Sequence, residues 1–73
     1  MNKKRMGKII QKMRIEKEMT RLVLSKKMSC SPTTIFKWER GLMCPSMENL
    51  TKLESILGMN ILSSEFMEAV VAK

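Results

Sequence analysis

The stretch from Thr20 to Pro45, TRLVLSKKMSCSPTTIFKWERGLMCP, crowds helix starts and stops so closely that it can hold only short helices separated by tight breaks. Thr20 suits the N-cap of one such helix, whose Leu24 and Met28 share a face. Ser31 caps the next, and Pro32 fits its first helical position, where a backbone N–H would have no intrahelical partner. Gly41 must end that helix, and Pro45-Ser46 opens another.

The rest of the chain reads the same way. Apolar spacing marks a first helix from about Met6 to Lys17, with Met6, Ile10 and Met13 facing inward and Lys8, Lys12 and Glu16 solvated. The helix opened at Pro45-Ser46 carries Met47, Leu50, Leu53 and Leu57 at three- and four-residue intervals until Gly58. Ser63 or Ser64 then caps a short last helix with an apolar stripe of Phe66, Met67, Val70 and Val71, which either closes the core or pairs with another chain. No segment alternates with period two. The expected architecture is therefore all-α, a compact five-helix bundle. A length of 73 residues allows one domain, 1–73, with a basic arm over 1–5 and a possible dimerisation segment over 59–73. Nine methionines against three aromatic residues predict a soft aliphatic and thioether core.

Charge is unevenly placed. Residues 1–40 hold 12 Lys/Arg against three acidic residues, whereas residues 41–73 hold two against four. The N-terminal half is thus the side that faces a polyanion, and such a field gives affinity for phosphate backbones without choosing a sequence. Cys30 and Cys44 form no Cys-x-x-Cys pair and have no histidine beside them, so no metal site is expected. Both read as reduced thiols, Cys30 at a core position and Cys44 in a loop that leaves it open to exposure. No long apolar run follows Asn2-Lys3-Lys4-Arg5, which argues against a secretory signal and a membrane span. With no histidine, nucleophile–base pair, glycine-rich phosphate loop or carboxylate cluster, the chain is not expected to be an enzyme or to need a cofactor.

The two short central helices compose a helix-turn-helix. In the second of them Ile35 and Trp38 share the inner face, while Thr33, Phe36, Lys37 and Arg40 lie outward. A helix of this type enters the major groove of double-stranded DNA with its N-terminal residues at the base edges. Pro32, Thr33, Phe36 and Lys37 are the base-contact candidates. Threonine offers a methyl for thymine or a hydroxyl for several bases, and lysine favours guanine O6 and N7. Phe36 can meet thymine methyls, sugar or a neighbouring side chain. Phosphate contacts are expected from Thr20 and Arg21, at the N-terminus of one helix, and from Thr34, Arg40, Gly41 and Leu42 around the other. The plain alternative is that these are solvated polar positions. Trp38 is assigned to the core, because a base-stacking platform needs more aromatic residues than this chain has.

The ordered set Met6-Gly7, Ile10, Met13-Arg14, Met19-Thr20, Leu24-Ser25, Met28, Ser31, Thr34-Ile35, Trp38-Glu39-Arg40-Gly41, Pro45-Ser46 and Leu50, Leu53, Leu57-Gly58 resembles the lambda-repressor-like, Cro/CI-type (XRE) regulators over residues 6–62. The resemblance implies a five-helix bundle acting as a homodimer on DNA, bacterial or phage-encoded, nucleoid-associated and cytoplasmic. It also implies that Arg14 pairs with Glu39. Three departures stand out. Arg21 occupies a position where such regulators commonly carry glutamine, Ser29 sits where they favour glycine, and Leu22, Val23 and Ile9 replace polar residues. Ser29 would cost roughly 1 kcal/mol at positive φ and distort the turn. The apolar replacements predict an unusual exposed surface. Two functions follow: a small transcriptional repressor on a palindromic operator, or a protein-interaction module such as an antitoxin or adaptor, with a protein partner at Leu22, Val23 or the last helix.

Overall fold

The computed structural model describes residues 3–58, which form four helices: α1 (Lys3–Glu16), α2 (Arg21–Met28), α3 (Pro32–Glu39) and α4 (Met47–Leu57). No strand occurs among the described residues, so the chain is all-α there. The expected fifth helix, and with it the suggested dimerisation segment, falls at 59–73 and lies outside the described residues.

Local chemistry sets the helix starts. Thr20, Ser31 and Ser46 each stand in extended conformation, and their hydroxyls accept from the N–H of Val23, Thr34 and Asn49 at 3.1, 3.2 and 3.2 Å. Each therefore satisfies one of the donors a helix start leaves open. α1 begins at Lys3 rather than near Met6, so Lys3, Lys4 and Arg5 form its first turn. Lysine and arginine are good helix formers, and no breaker separates them from Met6.

The helix ends share one solution. After α1, Glu18 takes φ 55°, with Glu18 N–H donating to Ile15 O and Met19 N–H to Arg14 O at 2.9 and 3.1 Å. After α2, Ser29 takes φ 57°, with matching bonds from Ser29 to Lys26 and from Cys30 to Ser25. After α3, Gly41 takes φ 73°, with Gly41 donating to Trp38 and Leu42 to Lys37. All three are Schellman closures. Ser29 therefore accepts the left-handed conformation with the bonding of an undistorted turn, contrary to the distortion expected there.

The core joins Met6, Ile9 and Ile10 of α1, Leu24 and Met28 of α2, Ile35 and Trp38 of α3, and Leu50, Leu53 and Leu57 of α4. Met13, Met19, Cys30 and Ile56 pack against its edge. Two expectations fail here. Ile9 is buried rather than exposed, because α1 is covered over more than the single stripe through Ile10. Met47 is 64% exposed, because it is the first residue of α4 and its side chain leans past the helix end, where no core lies beneath it. Cys44 is half-buried in the loop before α4, and both cysteines are free. Burial pushes the Cys30 thiol above its ordinary pKa, against the opposing pull of Lys52.

Gly7 is what lets α1 reach α3. A Cβ there would sit 2.4 Å from the carbonyl oxygen of Trp38 and 2.6 Å from that of Glu39, closer than any side-chain carbon can approach. The two backbones thus touch at Gly7, and the position of α3 is fixed from behind by α1.

Candidate nucleic-acid interface

With Ile35 and Trp38 turned inward, α3 presents Pro32, Thr33, Phe36 and Lys37 to solvent. These four base-contact candidates lie on one exposed surface of an eight-residue helix. Thr34 is half-buried, and its hydroxyl lies 3.1 Å from that of Ser31, so it strengthens the cap while remaining at the rim. Thr20 uses its oxygen as an acceptor for Val23 N–H, which leaves the hydroxyl hydrogen to donate outward. Arg40 and Leu42 are exposed beyond the end of α3, and Gly41 is half-buried between them. The Trp38 indole is buried, with an Nε1 that finds no hydrogen-bond partner among the described residues. It belongs to the core.

Beneath this surface is a charge network that joins three elements. Glu39, only 6% exposed, accepts from Arg14 Nε at 2.6 Å and Arg14 Nη2 at 3.2 Å, a two-point contact between α3 and α1. Arg14 Nη1 donates to Met19 O at 2.7 Å and so ties the turn before α2 to the same hub. Arg21 of α2 donates from Nε to Glu39 Oε1 at 3.0 Å. One carboxylate is therefore shared by two guanidinium groups. It is the acid of α3, and it is turned inward and neutralised, which leaves the outer surface of the helix free of negative charge.

The contact of Arg21 with Glu39 was not legible in the sequence. It departs from a simple phosphate role, since Nε is committed to Glu39 and only the terminal nitrogens are left for another partner. The Arg21 guanidinium also lies 5.3 Å from the centroid of the Phe36 ring, and that of Arg40 lies 5.8 Å from it. Phe36 thus has two cations over its ring, each contact worth about 0.5–1 kcal/mol at an exposed site. The ring is fixed on the outer surface rather than folded into the core. Lys26 and Lys27 sit exposed in the last turn of α2, where they complement its dipole.

Among the described residues no group of histidine, cysteine and acidic side chains could hold a metal ion. No described helix is long and apolar enough to cross a membrane.

Comparison with known proteins agrees with this geometry. A family model described as helix-turn-helix matches residues 10–62. Multiprotein-bridging factor 1 of Candida albicans is 36% identical over 67 residues, which cover 92% of this chain and 44% of that protein. The chain thus spans less than half the length of this curated relative. No solved structure matches it.

Proposed function

The chain belongs to the helix-turn-helix family, and from that membership we propose that it binds double-stranded DNA, with α3 in the major groove, as a small transcriptional regulator. The observation that carries this reading is the outer surface of α3, where Pro32, Thr33, Phe36 and Lys37 stand exposed while the acid of the helix is sequestered by two arginines. Thr33, Phe36 and Lys37 read base edges. Thr20, the terminal nitrogens of Arg21, Thr34, Arg40 and the Gly41-Leu42 turn frame the groove through phosphate. Glu39 and Arg14 position the reading helix without touching DNA. The regulator acts as a homodimer on two half-sites about one helical turn apart, and represses by occupying a promoter.

Selection of bound sites from a random duplex library at physiological salt tests this. An enriched palindrome with half-sites one turn apart is the expected result, and binding without enrichment would overturn sequence-specific recognition. On the enriched site Lys37→Ala should cost about 1–3 kcal/mol and relax preference at one base pair. An equal loss on random DNA would remove Lys37 from the reading surface.

A second reading, an adaptor or antitoxin on the same scaffold, has its own support. Leu22 and Val23 lie side by side on α2 and are 53% and 41% exposed, and the relative from Candida albicans is by name a bridging factor for proteins. Lys37→Ala would leave that activity intact, so the two readings separate on one variant.

A further inference from the structure

Lys4, Lys8 and Gln11 recur at helical spacing along one side of α1, and together with Glu39 and Arg40 they line a recess of about 220 Å³. Its acid carries no free charge outward, because Arg14 and Arg21 occupy both oxygens of Glu39. The recess therefore presents two ammonium groups, a guanidinium and a carboxamide. Neither Lys4 nor Lys8 has an ion-pair partner among the described residues.

A second observation points to an anion at the same place. The first turn of α1 holds Lys3, Lys4 and Arg5 and no acidic residue, so positive charge is stacked on the positive end of the helix dipole. This works against folding, and local conflicts of that kind concentrate where a ligand resolves them. The turn after α3 holds this end in place: a Cβ on Gly41 would meet the backbone and Cγ of Lys4 at 3.1 Å. Arg40 links the recess to the reading surface, since it both lines the pocket and stacks on Phe36.

We propose that this recess takes a backbone phosphate of the bound duplex, held by Lys4, Lys8, Arg40 and the Gln11 amide, in addition to those reached from α2 and the turn after α3. The site rests on the DNA-binding reading and extends it. A continuous cationic track runs from Arg21 across Phe36 to Arg40 and onto α1, so that a duplex seated on α3 passes the recess. The contact adds affinity and carries no sequence information.

The test is the salt dependence of binding by the full chain and by the double variant Lys4→Gln/Lys8→Gln. Glutamine keeps the Cγ that lies near Gly41 and replaces the ammonium by a neutral amide. Affinity is measured by anisotropy over a salt series on the enriched duplex and on a random one. Expected is a slope of log affinity against log salt that is shallower by about 1, with equal losses on both duplexes. The melting temperature of the double variant should be unchanged or higher, because a like-charge conflict has been removed. An unchanged slope, or a loss confined to the enriched duplex, would overturn the recess as a phosphate site while leaving DNA binding in place. A wild-type chain that binds neither duplex would overturn the reading on which the site rests.

Discussion

Where α3 meets α1, the contact is set by backbone proximity and aimed charge: Gly7 lies against two carbonyls, and Glu39 accepts from Arg14 at two points. Where the bundle closes on α4, it is set by Leu50, Leu53 and Leu57, fully buried side chains with no polar group to orient. A hydrocarbon contact depends mainly on volume and tolerates repacking. A buried ion pair depends on geometry, because a charge left without its partner has been taken out of water for nothing. The difference teaches that the side presenting α3 is held in one arrangement, whereas the scaffold side is held merely together.

Glu39→Gln probes this contrast most sharply. It preserves shape and should cost about 3 kcal/mol in urea unfolding, because Arg14 stays buried with its carboxylate partner gone. A cost as small as that of a scaffold substitution would break the comparison. Gly7→Ala should follow at about 2 kcal/mol, the clash with the Trp38 and Glu39 carbonyls exceeding the gain in helix propensity. If it instead stabilised the chain, α1 and α3 would have to separate without penalty. On the other side, Leu53→Met should cost less than about 1.5 kcal/mol, since thioether and isobutyl groups fill similar space. A larger loss would show that the α4 side is as shape-specific as the α1 side. The smallest effect is a gain. Ser29→Gly should raise stability by about 0.5–1 kcal/mol by removing a side chain from positive φ, and Glu18→Gly should do the same. Thermal unfolding resolves both, and a loss at either position would mean that its side chain does more than tolerate the turn.

What the sequence revealed divides along the same line. Caps at Thr20 and Ser31, the stop at Gly41 and the inward direction of Leu24, Met28, Ile35 and Trp38 are local properties, written in neighbours one to four residues apart. Ile9 misled because the family resemblance marked a polar, outward position there, whereas α1 is covered more widely than the stripe through Met6 and Ile10. Met47 misled because periodicity treats the first residue of a helix like any other, although no preceding turn lies there for its side chain to pack on. The joining of Arg14 to Glu39 came from family resemblance rather than spacing, and the sharing of Glu39 with Arg21 did not come at all. The residues of each pair are 25 and 18 positions apart, on different helices, and no periodic signal spans such a gap. The recess on α1 was hidden for the same reason, since Arg40 reaches it only once Gly7 has brought the helices together.

The buried indole has an optical consequence. The chain contains one tryptophan and no tyrosine, so its near-ultraviolet emission comes almost wholly from Trp38. With the ring shielded from water in the core and Nε1 without a hydrogen-bond partner among the described residues, that emission should lie at the short-wavelength end of the tryptophan range. It will shift to longer wavelength when the core around α3 opens and water reaches the ring. The molecule thus carries a built-in reporter for the seating of α3 in the core, readable without any label.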